Sequence, residues 1–225
     1  MVPFRMEQLS RLCGVLWILV VVTVATALAI TLVYDITLNP DDIEKALQRV
    51  ALHPLAHVTE LVFDTLSDVL LLTVAALLYV VFGRRLGPML GSLWFVAAAI
   101  LLAAHNMGNF AFTWIAGKHA AAADPAALEA VAYAVLVVAK WGVTIGSFFF
   151  VLGVAVYSAI SFPSSKFIGG LGFVAVALAI PAMALPWINP NLEILGYQLY
   201  LPMLIWQISF GIWLLRANPR THPEN

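Results

Sequence analysis

The sequence predicts an all-α integral membrane protein, a six-helix bundle with both termini on the cytoplasmic side. Three observations carry this expectation. The chain is 63% hydrophobic and only 10% charged over 225 residues. It contains six apolar runs of spanning length. Its basic residues are shared unevenly between the loops. Soluble domains average about 45–50% apolar and about 25% charged residues, and a soluble fold of this size lacks the polar side chains to coat so much apolar surface. Other classes are excluded as well. Eleven Lys and Arg face 12 Asp and Glu, which leaves no basic footprint for nucleic acid. The single cysteine excludes an intramolecular disulfide framework and a Cys-rich zinc site.

A helix needs about 20 mostly apolar residues to cross a hydrocarbon core of about 30 Å. Residues 12–34, 57–82, 87–104, 132–160, 167–185 and 194–215 qualify. They are continuously apolar, whereas the strands of a membrane barrel alternate with period two. Ala27-Leu28-Ala29 resembles a signal-peptidase site. The apolar run before it is about 18 residues, longer than the usual 7–15 of a signal peptide, so the first span is expected to be an uncleaved anchor. With the N-terminus inside, Arg5, Arg11, Arg84, Arg85, Lys166, Arg216 and Arg220 fall on the cytoplasmic side. Only Lys45, Arg49 and Lys118 fall outside, among most of the loop acids. That bias is the one expected of cytoplasmic loops. The whole chain, 1–225, reads as one transmembrane domain.

Asn39 caps a helix with Pro40 at its first position and Asp41 and Asp42 in its first turn. Ile43, Leu47 and Val50 then recur at helical spacing. Residues 40–52 are therefore expected to form a short amphipathic helix lying on the outer membrane surface, ended at Pro54. The stretch 118–125 is Ala-rich and expected to be flexible or weakly helical. Pro163 should stop the fourth span, and Pro186 with Pro190 the fifth, whereas Pro181 and Pro202 lie inside spans. The pairs Gly87/Gly91 and Gly142/Gly146 suit close helix packing within the chain. No internal repeat is evident, so an inverted-repeat transporter is not supported.

The strongest chemical feature enters the second span. His53, His57, Glu60, Asp64 and Asp68 are spaced to stack on one helical face. A charged side chain within a span costs a few kcal/mol, so such residues face a bundle interior or a water-filled cavity. At about 1.5 Å per residue, Asp64, Asp68, His105 with Asn106, Lys140 and Gln198 share one layer in the outer part of the membrane. These six are the expected ligand- or ion-binding residues. Lys140 has three readings: an ion pair with Asp64 or Asp68, a snorkelling cation, or a holder of an anionic group. His53, His57 and Glu60, joined by His105, are the candidate ligands of a transition metal, zinc or copper. Pro54 inside the His53/His57 pair argues against that set, because it turns His53 away.

Ser67-Asp68 leads into Val69-Leu70-Leu71-Leu72, and the same span ends Leu77-Leu78-Tyr79-Val80-Val81-Phe82. Trp141-Gly142 precedes Ile145-Gly146 and Phe148-Phe149-Phe150, and Pro163 precedes Ile168-Gly169-Gly170-Leu171-Gly172. From the second span onward this pattern resembles an uncharacterised bacterial family, domain of unknown function 4386. The resemblance implies a multi-span inner-membrane protein and no particular activity. The stripe from His53 to Asp64, and Lys140, lie outside the matching motifs.

The leading functional expectation is a polar pocket near the outer face that binds a small solute, an ion or a proton. One alternative is a metal-dependent membrane enzyme acting on a lipid-like substrate. Another is a non-catalytic subunit or assembly factor of a membrane complex. The expected partners are the lipid bilayer, a small solute or cation, and a second copy or a membrane-complex subunit.

Overall fold

The computed structural model describes residues 6–216, except 37, 84, 190 and 191 and the side chains of 193, 194 and 197. Arg5, Arg84, Arg220 and Pro190 thus lie outside the described residues. Seven α-helices follow in order: α1 (Met6–Tyr34), α2 (Ile43–Leu52), α3 (Pro54–Val81), α4 (Leu86–His119), α5 (Pro125–Ser161), α6 (Lys166–Ile188) and α7 (Glu193–Arg216). All but α2 are long and apolar enough to cross a membrane, so the chain is an integral, multi-pass membrane protein.

The six long helices close into a ring in which each packs on two neighbours, in the order α1, α3, α4, α5, α6, α7 and back to α1. Large apolar residues such as Leu93, Ile100, Val138 and Ile205 face outward, as lipid-facing positions require. Ser10 Oγ donates to the Leu214 carbonyl at 2.8 Å, so the first and last helices start and finish at one end of the ring. That end is called the termini end below, and the opposite one the distal end.

The termini half of the ring is filled with rings. Trp17 meets Phe95, Trp206 and Phe210 edge-on at centroid distances of 5.3, 5.9 and 5.6 Å. Phe95 stacks on Tyr157 at 5.6 Å. Such pairs add to the area they bury. Close backbone approach makes room for them. A Cβ on Gly14 would lie 2.7 Å from the Gly211 carbonyl oxygen, so α1 and α7 touch main chain to main chain. Gly91 lies against Tyr157, and Gly142 and Gly146 lie against His105 and Leu102 of α4. The glycine pairs expected from sequence thus serve packing within the chain.

Several boundaries differ from the sequence expectation, each for a physical reason. α4 does not stop near residue 104 but runs to His119, because its polar residues beyond 104 find partners across the ring and no proline interrupts it. α5 starts at Pro125, with Asp124 capping the Ala127 amide. The Ala-rich stretch lies between the two helices: α4 ends at His119, and residues 120–124 form the turn that leads into α5. α6 runs through Pro186 to Ile188. The Ala182 carbonyl, which Pro186 leaves without its helical partner, faces Gly196 of α7, where an added Cβ would come within 3.1 Å.

At about 51 and 55 Å, the 34-residue α4 and 37-residue α5 exceed the hydrocarbon core. Their distal ends are bridged by His119 and Glu129 at 2.9 Å. α2 sits against this extension. Asn39 caps the turn before it, accepting from the Asp41 amide, as its sequence predicts. Its apolar face, Ala46, Leu47 and Val50, packs on Phe112, Ile115, Ala116, Ala132 and Leu136. This corrects the expectation of a helix resting on lipid: the protruding ends of α4 and α5 offer a protein surface that takes its apolar face. Arg49 Nη2 pairs with Asp35 Oδ2 at 2.7 Å beside the α1–α2 turn.

Candidate functional site

Between the aromatic core and the apolar cluster under α2, helices α3 and α4 hold a band of buried polar residues. The acidic face of α3 supplies one side. Asp68 is 3% exposed, and its Oδ2 accepts a hydrogen bond from Asn106 Nδ2 at 3.0 Å. Asp64, one turn distal, is close enough to interact with Asn106, His105 and Asp68. Glu60, a further turn distal, interacts with Asp64, and its side chain is 17% exposed. The three carboxylates thus form a ladder that runs from the distal rim into the bundle. Among the described residues, none of them pairs with a lysine or arginine.

α4 supplies the other side, at i, i+4 and i+8. His105 Nδ1 lies 2.8 Å from the Ala139 carbonyl oxygen of α5. A carbonyl only accepts, so this nitrogen carries the proton. Neutral His105 then offers Nε2 as an acceptor, and Asn109 Nδ2 donates to it at 3.0 Å. Thr113 Oγ1 donates to the Asn109 carbonyl at 2.9 Å and lies 2.8 Å from His57 Nδ1. With its one hydrogen spent, Thr113 accepts from His57. His57, 1% exposed, is left with Nε2 as its open acceptor, 3.9 Å from Glu60 Oε2. One chain of hydrogen bonds therefore runs from His57 through Thr113 and Asn109 to His105 and the α5 backbone. Asn106 is 1% exposed, and its Oδ1 is buried with no hydrogen-bond partner.

Thr113→Val keeps the shape of the side chain and removes the link. It is expected to cost about 1–2 kcal/mol, because His57 Nδ1–H is left buried and unpaired. Thermal unfolding in nanodiscs checks the loss. Nitrogen NMR of labelled histidines checks its cause: the His57 resonances should move while those of His105 stay put.

The structure gathers Asp64, Asp68, His105, Asn106, His57 and Glu60 and leaves three expected residues elsewhere. Lys140 Nζ sits 4.6 Å from the Trp187 ring centroid, and Trp187 itself packs on Trp141. Among the described residues Lys140 makes no ion pair with Asp64 or Asp68. Its position on α5 turns it toward α6 and these indoles, away from α3. Gln198 is exposed on α7, which borders α6 and α1 rather than the α3–α4 seam. His53 is exposed between α2 and α3 and lies against the Tyr34 ring at 5.4 Å. It is separated from His57, whose ring is buried against Thr113, so His53, His57 and Glu60 do not come together. Pro54 is the reason, since it opens α3 and leaves His53 outside it. Among the described residues no three His, Cys, Asp or Glu side chains are placed to hold a metal ion.

Two members of the band, Asn109 and Thr113, were not among the residues expected from sequence. The signal was present, since His105, Asn109 and Thr113 recur every four residues. It was obscured because the span was ended at 104, which leaves residues 107–115 without a helical phase.

No curated protein and no solved structure matches this chain. The family model described as domain of unknown function DUF4386 matches residues 12–217, which agrees with the motif resemblance of spans two to five, and the chain belongs to that family.

Proposed function

We propose that this protein binds a small monovalent cation or a proton at Asp64, Asp68 and Asn106, and that ligands reach the site from the distal end. The observation that carries the reading is Asp68: a buried carboxylate whose hydrogen-bond partner is an uncharged amide. An ionised carboxylate in a low-dielectric interior is costly unless a cation or a proton neutralises it. The ladder through Asp64 to the partly exposed Glu60 gives such a ligand a graded route. Toward the termini end the route meets the rings around Trp17 and Phe95. With the termini in the cytoplasm of a bacterial inner membrane, as the basic residues suggest, the site samples the external medium.

The test is equilibrium binding to the full-length protein in nanodiscs. Lithium, sodium, potassium or ammonium chloride is exchanged for choline chloride at constant ionic strength, while thermal unfolding is followed at several pH values. A ligand at one hundred times its Kd raises stability by about 2.7 kcal/mol. The reading expects a saturable rise for at least one cation, or for protons, that Asp68→Asn removes. Indifference of the parent protein to all of them and to pH sinks it.

A further inference from the structure

We propose that two copies of this chain pair through the outward face of α4 and α5 at the distal end. The proposal starts from an apolar groove that lies beyond the reach of lipid tails. Both membrane boundaries are marked on α6. Lys166 opens that helix, and Trp187, near its other end, packs on Trp141 and lies under Lys140 Nζ. Indoles and long lysine side chains gather at the membrane–water boundary. From Lys166 to Trp187 is about 32 Å, close to the hydrocarbon thickness of about 30 Å. α5 continues past Trp141 to Pro125, about 24 Å further. α4 keeps level with it: a Cβ on Gly108 would lie 3.2 Å from Ala139 Cβ, and α4 goes on to His119. The headgroup layer accounts for only about 5–8 Å of that height.

The inner side of this extension is covered by α2. Its outer side carries a groove of about 530 Å³ whose lining includes Gly108, Ala111, Ala130, Val131, Ala134 and Val135. Ala134, Val131 and Ala130 stand about 10–16 Å past Trp141, clear of the hydrocarbon and of the headgroups. Met107 and Trp114, 74% and 65% exposed, form a ridge on α4 beside the groove. An apolar patch at this height, facing neither lipid tails nor a core, marks a protein contact. Two features select a second copy as the occupant. Ridge and groove share one face, so a two-fold axis along the membrane normal near Ala111 sets the Met107 and Trp114 side chains of each copy in the groove of the other. Such an isologous contact is self-complementary. The charges at the distal edge obey the same symmetry. Lys118 follows Ala111 and Trp114 at i+7 and i+4, on their face of the helix, and Asp124 stands just before α5. Both are exposed, and among the described residues neither forms an ion pair. The axis brings each lysine to Asp124 of the partner subunit, and such complementary rim charges fix register.

The experiment measures the oligomeric state of the full-length protein in phosphatidylcholine vesicles, by single-molecule photobleaching over a series of protein-to-lipid ratios. The parent protein is expected to be a dimer. Trp114→Ala removes the ridge and Ala134→Trp fills the groove, and each should weaken the dimer at least tenfold. Both positions are exposed, so the fold should survive, which thermal unfolding checks. Cross-linking supplies a second readout. Cys13 is buried and stays silent, so Ala111→Cys should form a disulfide between copies on mild oxidation. Ile205→Cys, on the outward face of α7, should not. A parent protein that stays monomeric at every ratio overturns the proposal, as does a dimer that both groove variants leave intact. Cross-linking through Ile205→Cys but not through Ala111→Cys overturns it too. A monomeric parent whose Ala111→Cys variant cross-links to a different protein in native membranes gives the groove to that protein and overturns the second copy as its occupant.

Discussion

Asp68→Asn is expected to weaken cation binding by a factor of roughly 10 to 150 while the fold keeps its stability. The substitution is isosteric and removes only the charge. A hydrogen bond to a charged group contributes about 1.5–3 kcal/mol, and each 1.4 kcal/mol is a tenfold change in affinity. Two stability terms oppose each other. Removing the charge relieves a cost of about 2.5–3.5 kcal/mol on insertion scales. Losing the charge-assisted bond from Asn106, 3.0 Å from Asp68, gives back about 1.5–3 kcal/mol. The new amide still accepts from Asn106 through its oxygen. The balance therefore lies between a gain of about 2 kcal/mol and a loss of about 0.5 kcal/mol. Asp68→Leu provides the contrast. It takes away the carboxylate that accepts from Asn106 in the interior, where Asn106 Oδ1 is already unpaired, which costs about 1–3 kcal/mol. Titration and unfolding of both variants in nanodiscs separate the two roles. A stable Asp68→Asn variant with parental affinity would remove Asp68 from the site.

Gly14→Leu is expected to give the largest loss of stability, more than about 3 kcal/mol, with the cation site untouched in whatever fraction folds. The first added carbon, the Cβ, would lie 2.7 Å from the Gly211 carbonyl oxygen and 3.0 Å from the Leu215 amide nitrogen. Both obstacles are main chain, so no rotamer change relieves the clash and α1 must move away from α7. Overpacking of this kind typically costs about 1–3 kcal/mol. Separation of the two helices adds to it, because Trp17, one turn along α1, packs on Trp206 and Phe210 of α7. Gly170→Ala is the matching control. A Cβ there meets nothing within 4 Å, and Ala favours the helix over Gly by about 1 kcal/mol. Its unfolding midpoint should equal or exceed that of the parent. A Gly14→Leu variant as stable as Gly170→Ala would mean that α1 and α7 do not approach as closely as described.

The same physics explains which parts of the site could be read in advance. The acidic ladder was legible because charges in an apolar span are expensive, and their spacing places them on one face whatever surrounds the helix. Asn109 and Thr113 were harder to see, because neutral polar groups are less conspicuous and α4 outruns the expected bilayer thickness. Lys140 was misplaced in the layer for a different reason. Its depth follows from counting residues, but its direction depends on the rotation of α5, and rotation puts it on Trp187. The helix at Ile43–Leu52 was legible as amphipathic, whereas the partner of its apolar face was not. That partner is the protruding surface of α4 and α5, which exists only once both helices are known to run long.

The membrane class, the six spans and the capped short helix follow from the sequence alone. Their causes are local: hydrocarbon thickness fixes the length of an apolar run, and one Asn before a Pro fixes a helix start. The order of the helices around the ring, the rotation of each and the meeting of Asp68 with Asn106 were decided by tertiary structure. Helices that are apolar on nearly every side carry little information about which face turns inward. Packing of glycines and aromatic rings makes that choice, and with it chooses which buried polar groups become partners.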